Sequence, residues 1–288
     1  MYKTSNRHNK TFIIKRKSPK ISFYNFLAIP YYVLASCLIA LPMILIILYA
    51  FNDGSGTIFQ IRFSAINFTD FFTNRDLMRT LGESLYIAMI GTFATLLVGY
   101  PLAYFITKAK TKNRVLFLSL TTAPIWLNAF LRINGLRQVF MMINENILGT
   151  DFALITGIVF MFLPFMVLPI YTVLMKIDPN LYESSADLGA NSAKTFFKVV
   201  MPLTLSGVIS GIMMVFLSAT TSIVIPIRLG GGQRRLIGVI IENAVNVGRD
   251  TGFGAAMAII VGLILLLFIY LIRKTDKYGV QLTDEKNL

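Results

Sequence analysis

The side chains that most often carry chemistry are nearly absent from these 288 residues, which hold one histidine and one cysteine. His8 lies in a basic tail and Cys37 inside an apolar run. Counting alone excludes a disulfide, a Cys/His zinc site and a Ser-His-Asp or Cys-His nucleophilic set. Cys37 reads as an apolar packing residue. Gly230-Gly231-Gly232 is glycine-rich, but no Lys follows in register, so it reads as a turn and not as a phosphate loop. The patterned polar segment is Lys176–Lys198. There Asp178-Pro179 is a helix start, a capping carboxylate followed by proline at the first helical position. Gly189 is a helix stop, which gives an expected helix over Pro179–Leu188. Asn191-Ser192 can cap a second helix running to Met201-Pro202. A short capped helix of this kind suits docking to a partner; on pattern alone a surface loop with no partner is the other reading.

The elements around that loop follow from composition. Hydrophobic residues make up 55% and charged residues 14%, against about 25% charged in a soluble domain. Mean hydropathy is +0.67, too apolar for one globular core. The net charge of +13 is not that of a nucleic-acid binder, which clusters its cations on a polar domain. Runs free of Asp, Glu, Lys and Arg cover Ile21–Phe51, Ser84–Thr107, Val115–Leu131, Phe152–Met175, Val199–Ile227 and Thr251–Ile272. A spanning helix needs about 20 apolar residues, so six spans fit. Lipid leaves the backbone to satisfy itself, and these runs do not alternate as barrel strands do, so the expected class is an all-α membrane protein with six transmembrane helices. The expected layout is a basic tail over 1–24, a transmembrane domain over 25–272 with a loop at 176–202, and a second tail over 273–288.

Basic residues set the expected orientation. With the N-terminus inside, 18 of the 27 Lys and Arg, and every lysine, fall on the cytoplasmic side. Both termini are then cytoplasmic, and the setting is a bacterial cell membrane. Arg132 stays inside the third span; a buried charge needs a partner, and Glu83 is the expected one. Small residues at four-residue spacing, Gly91/Thr95/Gly99, Gly207/Gly211 and Gly254/Ala258/Gly262, are strips that let helix backbones approach closely.

The stretch Glu183-Ser184-Ser185-Ala186-Asp187-Leu188-Gly189, then nine residues, then Val199-Val200-Met201-Pro202, resembles the EAA motif of ABC-importer permeases. That motif reads Glu-Ala-Ala, three residues, Gly, nine residues, Ile-x-Leu-Pro; here serines replace both alanines. Gly99-Tyr100-Pro101-Leu102-Ala103-Tyr104-Phe105, Pro124-Ile125-Trp126 with Leu131-Arg132, Phe162–Pro169, Ile177-Asp178-Pro179 and Arg249-Asp250 with Phe253–Ala256 resemble permeases of the spermidine/putrescine, PotB-like, type. The chain departs from that pattern near Thr251, where an aromatic is usual, and near Arg228, where an acid is.

The resemblance implies a type I importer: a pore of two permeases, here with a PotC-like partner, two ATP-binding cassette ATPase subunits below, and an extracytoplasmic substrate-binding protein. It implies no cofactor and no catalysis by this chain. The EAA loop is implied to be the coupling helix, with Glu183 making a charged contact, Ser184, Ser185 and Asp187 beside it, Gly189 permitting the turn and Pro202 closing the motif. A polyamine cargo needs carboxylates and aromatic faces; the candidates are Glu83, Glu242, Asp250 and Trp126. Related importers of iron, thiamine or an inorganic anion, and less readily a secondary transporter, remain as alternatives.

Overall fold

The computed structural model describes residues 23–52, 63–232, 234–247 and 250–274, with side chains from Pro30 onward. The N-terminal tail up to residue 22, the C-terminal tail from 275, and Arg249 lie outside the described residues. The helices are α1 (Phe23–Ala50), α2 (Ile66–Thr73), α3 (Arg75–Lys108), α4 (Thr111–Thr122), α5 (Ala129–Ile143), α6 (Asp151–Leu174), α7 (Asn180–Asp187), α8 (Ser192–Thr195), α9 (Met201–Leu203), α10 (Leu205–Thr220), α11 (Val224–Leu229), α12 (Ile237–Asn246) and α13 (Thr251–Lys274). The chain divides into two units, one to Leu45 and one from Ile46 to Leu288. In the first, α1 carries a continuous apolar surface, and Cys37 is exposed on it and is not the packing residue expected.

The second unit is built on α6, which packs between α3 and α10. Lipid tails are as apolar as leucine, so helices in a membrane associate by close packing and not by escape from water. The small-residue strips serve that end, and their neighbours lie in this chain. A methyl group placed on Gly91 would lie 2.6 Å from Ile158 of α6, and one on Gly99 2.9 Å from Met166. On α10, Gly211 would meet Met166 at 2.7 Å and Gly207 the Pro169 carbonyl at 2.9 Å. Gly254 of α13 faces Val245 of α12, whereas Gly262 has open space. Met166, Val167 and Ile170 are fully buried at the centre of this packing.

Among the described residues four helices are long and apolar enough to cross a membrane, and the number rises to six if each of two bent pairs is one span. The third expected span is not one rod: its halves, Thr111–Trp126 and Ala129–Ile143, meet at 101°. Pro124 cannot donate a backbone bond, the chain tightens to a 3₁₀ turn over Ala123–Trp126, and Leu127 is extended. Asn128 then restarts the helix, its Oδ1 accepting from Phe130 N–H at 2.8 Å. The fifth bends by 64° between Ser192–Leu203 and Leu205–Thr220. Ahead of that bend, Phe196–Val200 widens to a π turn, which makes room for Pro202 and its missing N–H.

Gly207→Ala should destabilise the subunit by about 1–3 kcal/mol, since a rigid backbone carbonyl blocks the new methyl. Gly262→Ala should be neutral or raise stability by up to about 1 kcal/mol, the helix-propensity gain alone. Thermal unfolding of the purified variants in detergent reads both.

Candidate functional site

The loop 176–202 closes on itself by local chemistry. Asp178 Oδ1 accepts from Asn180 N–H at 2.9 Å, and Pro179 already has helical dihedrals. At the far end of α7, Gly189 takes φ +74°, a left-handed conformation that costs glycine least. Its N–H donates to the Ala186 carbonyl at 2.8 Å, and Ala190 N–H donates to the Ser185 carbonyl at 3.1 Å. This bond pair is the Schellman helix stop. Asn191 Oδ1 accepts from Lys194 N–H at 2.8 Å and starts α8. The helix therefore runs over Asn180–Asp187, one residue shorter at each end than expected.

At 100° per residue, α7 shows three faces. Tyr182 and Ser185 turn inward; Glu183 and Asp187 form an exposed acidic face; Leu181, Ser184 and Leu188 form a second exposed face. Leu188 is 86% exposed and Ser185 only 8%. The serine that stands in place of the motif's second alanine is thus on the inner face, its Oγ 2.7 Å from Thr195 Oγ1 of α8.

The inner face meets the end of α3. Lys108 Nζ stands 3.9 Å from the ring centre of Tyr182 and 5.4 Å from that of Tyr104. The Phe196 ring packs edge-on against Tyr104 and Tyr100, centres 5.2 and 5.7 Å away. Tyr100 OH lies 2.8 Å from Thr204 Oγ1, where the chain bends into α10. Around them lies a cleft of about 410 Å³, with Ser192 and Thr195 on its wall. Burial, and then the neighbouring phenols of Tyr104 and Tyr100, raise the pKa of Tyr182, so its ring stays neutral beside the ammonium. Reading the sequence missed Tyr182, Lys108, Thr195 and the exposed Leu181 and Leu188. Tyr100, Tyr104 and Lys108 recur at four-residue spacing, a signal that one helix face was in use.

The other candidates lie apart from this loop. The expected Arg132–Glu83 pair does not form. Glu83 lies 3.0 Å from Arg79 Nε, one turn earlier on α3, and 3.7 Å from Arg234 Nη1. Arg234 also reaches Asp151 Oδ1 at 2.8 Å, joining the starts of α3 and α6. Arg132 instead points Nη1 at the Met161 carbonyl, 3.5 Å away. Asp250 caps α13, its Oδ1 accepting from Phe253 N–H at 2.9 Å. Trp126 is 88% exposed at the break between α4 and α5. Glu242 differs from these: it lines a largely apolar cavity of about 390 Å³ between α12, α13 and the connection after α10, with Thr221, Gly238, Asn246, Ala258 and Gly262. Pro202 is half-buried in α9, before the Thr204 bend.

Residues 20–277 match the family of binding-protein-dependent transport system inner membrane components. The chain belongs to that family. It is 32% identical to the Haemophilus influenzae spermidine/putrescine transport system permease protein PotB, over 83% of this chain and 89% of the relative. With the Escherichia coli protein of that name it shares 37% identity over 65% of this chain and 74% of the relative. Its fold matches a chain of a bacterial ABC transporter involved in the import of the acidic polysaccharide alginate, with a TM-score of 0.67 at 16% identity, over 89% and 97% of the two chains. The chain is therefore an inner-membrane permease subunit of an ABC-type importer, forming part of a translocation pore. Membership implies an ATPase, a second permease and a substrate-binding protein as partners.

Ser185→Ala should loosen the α7–α8 contact by about 1–2 kcal/mol, because it strands the buried Thr195 hydroxyl. Adding Thr195→Val removes both polar groups and should recover most of that loss. Hydrogen exchange over residues 180–200 measures the difference.

Proposed function

We propose that this permease imports polyamines of the spermidine/putrescine class and takes its power stroke through α7. The cargo reading is supported by relatives of that name over most of the chain. The coupling reading rests on one observation: α7 is fixed on its inner face and free on its two outer ones. A rigid body exposed to a partner passes on movement, whereas a slack loop absorbs it. With the lysine-rich side in the cytoplasm, α7 meets the ATPase, Leu188 and Leu181 supplying apolar contact. Glu183, flanked by Ser184 and Asp187, supplies the charged contact, Gly189 ends the helix cleanly and Pro202 sets the bend. The second permease is a PotC-like subunit, and the pore a heterodimer.

For the pathway, Glu242 is the carboxylate we assign to cargo. Glu83 is engaged by two arginines, Asp250 caps a helix and Trp126 stands at a break, so their part in the path is secondary. A carboxylate in a largely apolar cavity attracts an ammonium more strongly than one in water.

Uptake of labelled spermidine by the assembled transporter tests both parts. Glu183→Lys should abolish uptake while membrane insertion stays normal; normal uptake removes Glu183 from the contact. Glu242→Gln should cut uptake about tenfold, the effect of roughly 1.4 kcal/mol. Competition by putrescine is expected; competition by thiamine or ferric iron without it would overturn the cargo reading.

A further inference from the structure

Two routes lead from α7 into the membrane. The covalent route runs through α8, the π turn and α9 into α10. It carries a widened turn, a proline without an N–H, and a 64° bend at Thr204. At that bend one N–H is shared between the Val200 and Met201 carbonyls, at 3.0 and 3.2 Å. Such a joint bends more easily than a regular helix.

The second route is through space. Helix α3 stays one helix for 34 residues, with Pro101 inside it, and ends at Lys108. Its last turns present Tyr100, Tyr104 and Lys108 on one face, and α7 leans on that face through Tyr182. Among the described residues Lys108 makes no ion pair, so its ammonium has the two rings as its partners. Asp187 and Glu183 turn to another face of α7. Resting on the coupling reading given above, we propose that the Lys108–Tyr182 cation–π contact is the strut that carries movement of α7 into α3, with Lys108 as a positioning residue. An ammonium over a ring face resists separation yet tolerates small sliding and rotation, because attraction to the quadrupole is not tied to one bond direction. That suits a contact that moves through each cycle. Through it, movement enters the helix whose Gly91 and Gly99 sit directly against α6.

The test uses the assembled transporter in proteoliposomes, with cargo-loaded binding protein and labelled spermidine, and measures uptake and ATP hydrolysis together. Tyr182→Leu and Lys108→Met should each lower uptake per ATP hydrolysed at least fivefold. Tyr182→Phe keeps the ring and Lys108→Arg keeps a cation, so both should stay within twofold of the starting protein. The double variant Lys108→Met/Tyr182→Leu should be no worse than either single one, because both remove the same contact. A ratio within twofold for Lys108→Met, or losses that multiply in the double variant, overturns the strut. Lys108→Met decides the question if Tyr182→Leu does not assemble, since it leaves the loop sequence untouched. Glu183→Lys separates the two ideas. If it uncouples and the strut variants do not, only the strut fails; if it too leaves coupling intact, the reading of α7 as the coupling element fails with it.

Discussion

Inside a bilayer no water is present to satisfy a backbone group, so each departure from regular helix must find its partners within the protein. That constraint orders this structure. Where the third span breaks, Asn128 supplies the carbonyl that restarts the helix. Where the fifth bends, Thr204 takes up backbone and side-chain bonds at once, to Met201 and to Tyr100. Near the start of α12, Ser84 on α3 accepts the buried N–H of Ile237 at 2.8 Å. Asn67 closes α1 in the same manner, its Nδ2 donating to the carbonyls of Ala50 and Asn52 at 3.0 and 2.8 Å. Short polar side chains in an apolar sequence thus mark the irregular places and make them tolerable.

The same economy separates packing from charge. The contacts of α6 with α3 and α10 set large apolar side chains of α6 against glycines of its two neighbours, and the charged groups gather near the ends of elements. Arg79, Glu83, Asp151 and Arg234 form one partly exposed network, and exposed pairs of this kind contribute about 0–1 kcal/mol each. Their value is in tying three segments into one register. The loop end has no such ionic network among the described residues; aromatic rings, one lysine and paired hydroxyls do that task there.

Local chemistry was legible in the sequence, and partnership across the chain was not. Asp178, Gly189 and Asn191 announce helix ends because capping involves residues a few positions apart. Spans were visible as charge-free runs, and the small-residue strips as a spacing. The 101° break at Trp126 was hidden because Pro124 alone does not distinguish a kink from a full stop; the deciding residue is Asn128, which can restart a helix only after the chain has turned. The pairing of Arg132 with Glu83 failed because it assumed which helix ends are neighbours. Arg79, one turn earlier, and Arg234, far along the sequence, hold Glu83 instead. Ser185 stands where the motif has alanine; only the fold shows that its hydroxyl meets Thr195.

The bend at Thr204 has a geometric consequence. A push delivered along the segment Ser192–Leu203 arrives at α10 at 64°, so more of it acts across that helix than along it. Under the coupling proposed above, whatever part of a push this joint passes on would swing α10 sideways more than drive it along its axis.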